Sequence, residues 1–321
     1  MNKRIGHEQQ IYELTEMRLV GGRGDGMRML LVKNVTGLEF MVSLDRAGDI
    51  VKLSLKGDNF GYFAPCGYVA PTYYDCVELG FLKSFTAGFF TTCGLKVTGR
   101  QHDEDGNALP LHGSISNTPC EKVQYYAENN EIHIKVTVRD AALFGDKLLL
   151  EREYVCPLYE NVIYLNDKII NIGSKKTPIQ VLYHCNMGYP LLSENAELKI
   201  PGSKITPRTD HAATGIDKAL IVEEPQADYD EMCFYHELSG KPTVSIYNKD
   251  IKKGMNMTFD TAELGYFMQW KMMGEYDYAM GLEPCNVPLE DVGYLKEHNL
   301  QEFLEPDQVK EHHIKFEFVE K

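Results

Sequence analysis

The sequence predicts an all-β protein built as a large sandwich or barrel. Three observations carry this prediction: short β-prone runs recur from residue 27 to the end, separated by Gly, Asn and Asp; only two stretches have helix-forming composition; and no linker or repeat period divides the chain. Alternating βαβ units are excluded. The 321 residues are read as one domain, 1–321, with a helical extension over about 1–20.

Residues 3–17 set Ile5, Ile11, Tyr12 and Leu14 loosely on one side, which predicts a short helix. Gly21-Gly22-Arg23-Gly24-Asp25-Gly26 follows as a turn, since its glycines lack the G-x-G-x-x-G spacing of a phosphate loop and no strong helix signal comes after. Strands are predicted at 28–32, 38–44 and 50–55. The segment 58–100 breaks the pattern. Its Gly- and aromatic-rich runs, 60–74 and 88–94, are expected to form a long functional loop beside a cleft. A hairpin is expected from 123–126 and 132–138 about the turn 128–131, its second arm alternating so that one face is buried and His133 lies on the surface. Strands continue at 148–154, 162–172, 243–247, 257–259, 266–270 and 314–319, with a helix near 289–300.

Composition narrows the function. A formal net charge of −14 argues against nucleic acid as the main partner and against an anionic membrane surface. Lys3 and Arg4 are not followed by the apolar core of a signal peptide, and no run reaches the length of a membrane span, so a cytoplasmic protein is expected. Eight scattered cysteines without a C-x-x-C pair fit thiols in a reducing compartment.

Three segments carry candidate chemistry. In Gly281-Leu282-Glu283-Pro284-Cys285-Asn286 a carboxylate ends an extended apolar run just before a proline, where the chain is biased to extended geometry. Leu111-His112-Gly113 and Tyr183-His184-Cys185-Asn186 each set a histidine among apolar residues near a Gly and a Pro. Two histidines and a carboxylate make an acid–base set. They could also hold zinc or iron, but the spacing offers no local chelate, and no metal is expected. Asp103, Asp105 and Gly106 resemble the start of a calcium loop, yet Ser114 stands where a bidentate Glu is needed, so a turn is expected. Trp270, the sole tryptophan, is either a stacking surface for a sugar ring or a core residue.

Taken in order, Leu111-His112-Gly113 with Asn117-Thr118-Pro119, Tyr183-His184-Cys185-Asn186-Met187-Gly188-Tyr189-Pro190, and Gly281-Leu282-Glu283-Pro284-Cys285-Asn286 resemble the aldose 1-epimerase (galactose mutarotase-like) superfamily, over roughly 27–320. The resemblance implies a β-supersandwich of large twisted antiparallel sheets with a sugar cleft on one concave face. It implies His184 as general acid at the ring oxygen, Glu283 as general base at the anomeric hydroxyl, and His112 as a holder of the ring oxygen and a neighbouring hydroxyl. Asn117, Asn186 and Asn286, within the same motifs, are expected to bind substrate. The family's sugar-binding arginine and aspartate have no clear match; Arg100 is the candidate for the first, and His236 or Glu237 for the second. The implied activity is a cofactor-free isomerase that interconverts sugar anomers, with a small carbohydrate as partner and self-association left open. A non-catalytic sugar-binding module, or another isomerase or lyase chemistry on sugars, is the alternative.

Overall fold

The structure, a computed structural model, describes residues 3–104 and 107–321. Among them the strands form three large antiparallel sheets. The first is a five-stranded meander from Glu13–Arg18 to Asp58–Asn59. The second has eight strands and is led by the expected hairpin, Lys122–Glu128 with Glu131–Ala141, whose second arm buries Ile132, Ile134, Val136 and Val138 on one face. His133 on the other face is half-buried, stacked on Tyr126 and 3.1 Å from Glu153.

The third sheet bears the candidate site. Its order is Ile205–Pro207, Met232–His236, Tyr266–Met273, Tyr278–Cys285, Thr177–Met187 and Glu302–Leu304, with Phe90–Leu95 also paired to Thr177–Met187. The central strand Thr177–Met187 is buried on both faces, which explains its almost unbroken apolar sequence. One continuous core joins the inner faces of all three sheets.

Beneath the site sheet lies a buried polar network. The Arg152 guanidinium donates to Asp167 at 2.7 and 2.9 Å, to Asp49 at 2.8 Å and to Thr92 at 2.8 Å. The Tyr183 hydroxyl donates to Asp167 and lies 3.1 Å from His312 Nδ1. Thr92 and Tyr183 point into this network, so their neighbours Thr91 and His184 face the other way. Burial, with repulsion from Lys310 and His313, pushes His312 down to about 3. An unfolded histidine binds its proton near pH 6.5 while the folded one does not, so stability falls as pH drops below that value. Between pH 7 and 5 the protein should lose about 2 kcal/mol more than its His312→Gln variant in urea unfolding. Parallel pH curves for the two would contradict this.

Local differences from the sequence reading have physical reasons. Where a helix over 3–17 is expected, there is one 3-10 turn, Glu8–Gln10, and then the strand Glu13–Arg18, captured by pairing with Arg28–Lys33. The later helix is confined to Val292–Glu297. The expected turn at Asp105 and Gly106 lies outside the described residues. All eight cysteines are unpaired, and no helix is long and apolar enough to cross a membrane among the described residues.

Candidate active site

Strand register builds the site from side chains on one face. The pairing of Leu182 with Cys285 and of Cys185 with Leu282 sets His184 opposite Glu283, and Met268 faces Glu283 from the next strand. Asn186 pairs with Gly281, which pairs with Trp270, which pairs with Cys233. Directly opposed residues of antiparallel strands share a face, so His184, Glu283, Asn186 and Trp270 converge. His184 Nε2 lies 3.2 Å from Glu283 Oε1. The contact is close without hydrogen-bond geometry, and Glu283 Oε1 and His184 Nδ1 are buried without hydrogen-bond partners among the described residues.

His112 arrives from a loop. Its ring stands 5.9 Å from that of His184, at right angles. Its backbone is in the left-handed region at φ 57°, uncommon for a side chain of this size, and is held by bonds from its N–H to Gly99 and from Gly94 to its carbonyl. Gly113, at φ 73°, follows because any Cβ there would collide with the Gly94 carbonyl. The His112 Nδ1–H donates to the Thr98 carbonyl at 2.6 Å, which leaves Nε2 as the acceptor nitrogen. Aromatic rings close the surround: Phe81 stands against His112, Phe85 and Trp270 against His184. Phe81 and Phe85 lie between the two runs expected to form a loop, 60–74 and 88–94; the second of these is no loop, since Phe90–Leu95 is a buried strand captured by pairing with Thr177–Met187.

Electrostatics follow from dryness. Burial, with repulsion from His112, pushes His184 down to about 3. Burial likewise pushes His112 down to about 4, the Arg208 charge adding and the Thr98 carbonyl opposing. The Glu283 carboxyl is driven well above the usual carboxylate range by burial and by Glu231, with Arg208 opposing. All three groups are thus held towards their uncharged forms.

Two of these neighbours are invisible to the sequence reading. Arg208 extends the short strand Ile205–Pro207, its N–H bonded to Cys233, just before Thr209 caps the helix Asp210–Ala213. Its Nε is buried without a hydrogen-bond partner among the described residues and lies 3.7 Å from Glu290. Glu231 accepts the Trp270 indole N–H at 2.7 Å and so fixes the ring's tilt. The half-buried Trp270 is therefore a site-face residue and not a core one.

The other expected substrate binders separate from this set. Arg100 is exposed. Asn117 bonds Ser116 and Ser84. Asn286 stitches strands together, accepting from the Val181 N–H at 2.7 Å and donating to Ile179 and Glu302. His236 lies on the opposite face of the sheet, against Phe267, and Glu237 is exposed and pairs with Lys204 at 3.6 Å. Asn186 stays, its amide donating to the His184 carbonyl and its Oδ1 unpartnered among the described residues. Those residues contain no group of three His, Cys, Asp or Glu side chains placed to hold a metal.

The family profile described as "Domain of unknown function (DUF4432)" matches residues 24–318. The chain belongs to the DUF4432 family. Among solved structures, this DUF4432 protein is similar to one from Klebsiella pneumoniae subsp. pneumoniae provisionally named an aldose 1-epimerase, with a TM-score of 0.91 and 25% identity over 97% of this chain and 84% of that one. A galactose mutarotase-like protein from Clostridium acetobutylicum matches with a TM-score of 0.70 and 13% identity, covering 97% and 100% of the two chains. A galactose 1-epimerase from Lactobacillus acidophilus matches at 0.64 and 15%, covering 96% and 99%. No curated protein matches the chain. The DUF4432 chain therefore has the galactose mutarotase-like fold, in agreement with the resemblance read from its three motifs.

One glycine of this DUF4432 site makes a direct prediction. A Cβ at Gly281 would collide with Glu283 Oε1 and come within 2.9 Å of Trp270 Cβ. Gly281→Ala should push the carboxyl away from His184 and lower turnover by about a hundredfold, the scale of one misplaced catalytic group. The unfolding midpoint should fall modestly, because the Trp270 Cβ cannot yield as the carboxyl can, so activity is compared at temperatures where both proteins are folded. An active Gly281→Ala protein would show that the carboxyl position is not critical.

Proposed function

We propose that this chain is a carbohydrate isomerase of the aldose 1-epimerase type, which opens and recloses the ring of a reducing sugar. The observation that carries the reading is the His184–Glu283 pair, 3.2 Å apart, buried, and short of hydrogen-bond partners. Such atoms are suited to hydrogen bonds with a ligand, because leaving them unpaired in a dry site costs stability.

Glu283 takes the proton of the C1 hydroxyl while His184 gives one to the ring oxygen. The C1–O double bond forms as the C1–ring oxygen bond breaks. C1 turns, and the reverse transfers reclose the ring on its other face, returning both protons. Carboxylate with imidazolium carries the same single proton as carboxylic acid with imidazole, so ligand binding has only to redistribute it. His112, with Nε2 unprotonated, accepts from a sugar hydroxyl. Trp270 offers its ring to the sugar's C–H face, and Arg208 and Asn186 supply hydrogen bonds to hydroxyls. Each proton-transfer group is worth about a hundredfold or more. The reaction needs no cofactor.

The test is proton NMR of freshly dissolved α-anomers of glucose, galactose, their 6-phosphates and uronic acids, with and without the protein. Faster approach to equilibrium for at least one is expected. Calorimetric binding without acceleration would make the chain a sugar-binding module, and neither effect across the panel would remove the proposal.

A further inference from the structure

A cavity of about 570 Å³ opens at the end of the site sheet. Its wall includes Tyr235, Tyr266, Tyr294, His236, Glu290 and Ser239. Tyr235 shares a face with Met268, which faces Glu283, so two strand spacings, about 10 Å, separate the tyrosine from the candidate base. The two sites are also joined by charge. The Tyr235 hydroxyl donates to Glu290 at 2.8 Å, and Glu290 lies 3.7 Å from the Arg208 Nε, whose field reaches Glu283.

The lining states what it would accept. Three tyrosines offer flat apolar rings with polar edges, suited to the C–H faces of a sugar. His236 is only 4% exposed; its Nε2–H donates to Gln269 at 2.8 Å, and its Nδ1 is an acceptor with no partner among the described residues. Glu290 and Glu237 lie in the wall, and the lining contains no Lys or Arg. Acceptors and carboxylates, whose ion-pair partners Arg208 and Lys204 stand outside the lining, offer no cation to phosphates or sugar acids and welcome donor hydroxyls.

We propose that this cavity binds a neutral sugar ring, the aromatic wall stacking on it and His236 and Glu290 accepting its hydroxyls. Its distance from Glu283 suits the second ring of a disaccharide whose reducing end is turned over at His184 and Glu283, a placement that rests on the isomerase reading. A separate neutral glycoside would use the same chemistry.

Saturation-transfer NMR with methyl β-glucoside, methyl β-galactoside, maltose and lactose tests this. Methyl glycosides have no anomeric hydroxyl, so their binding is read apart from any turnover. Ser239→Trp, which fills the cavity from an exposed position, and Tyr294→Ala, which removes a wall residue 45% exposed, should each weaken binding of at least one probe by about tenfold. If the ring belongs to a disaccharide, the same two variants raise the KM for maltose or lactose and leave glucose and galactose unmoved; if it belongs to a separate glycoside, only binding falls. No probe binding to the wild-type chain, or binding indifferent to both variants, overturns the proposal. A wild-type chain that binds these probes but equilibrates no anomer overturns the isomerase reading and leaves the cavity's ligand standing.

Discussion

Replacing Glu283 with Gln should cut anomer exchange by at least about a hundredfold, because the amide keeps the shape of the carboxyl but cannot take a proton. The same change should make the protein more stable at neutral pH. Burial holds the Glu283 carboxyl protonated well above the usual range, whereas in the unfolded chain it ionises near its ordinary value. Folding therefore gains from this group at acid pH and loses as pH rises above about 4.5. Gln carries no such cost. Exchange-rate NMR beside thermal unfolding at pH 7 checks both halves. A variant with full activity would sink the catalytic role, and one that melts lower than the parent would contradict the burial argument.

Arg152→Met should be the most damaging single change to the fold, costing about 3–5 kcal/mol. Methionine fills much of the space but leaves Asp49 and Asp167 buried, each having lost its ion pair with the guanidinium. Burial already pushes Asp49 upward against the pull of Arg152, so removing the guanidinium favours its protonation. Urea unfolding measures the loss, and one below about 1 kcal/mol would show that water or rearrangement replaces the arginine. Activity should fall as well at temperatures where the variant stays folded. Thr92 and Tyr183 anchor the two strands whose adjacent residues, Thr91 and His184, face the site.

Much of this site is legible in the sequence because its three acid–base candidates each carry a local mark. His112 and His184 have a glycine and a proline close by, and Glu283 ends an extended run before Pro284. Arg208 has no such mark. Its strand, Ile205–Pro207, is too short to read, and its approach to Glu283 depends on the order of strands across the sheet. The same blindness misdirects His236. In Met232–His236 alternate residues face opposite ways, Cys233 and Tyr235 towards the site and His236 away, and only the register decides which. Asn286 fails for another reason: inside a motif of the right kind, its amide is committed to holding Val181 and Ile179 in place. Residues 13–17 read as helix by composition and become strand through a partner some fifteen residues on, a case of tertiary pairing overriding local preference.

The buried atoms without hydrogen-bond partners among the described residues, His184 Nδ1, Glu283 Oε1, Asn186 Oδ1 and Arg208 Nε, form a cast of the molecule that would complete them. A ligand that fits this cast repairs the folded state and has no counterpart in the unfolded chain. Heat resistance then becomes an assay: a compound at a hundred times its dissociation constant adds about 2.7 kcal/mol to stability. Ranking a carbohydrate library by melting temperature would reveal the natural ligand even if its reaction leaves no spectroscopic trace.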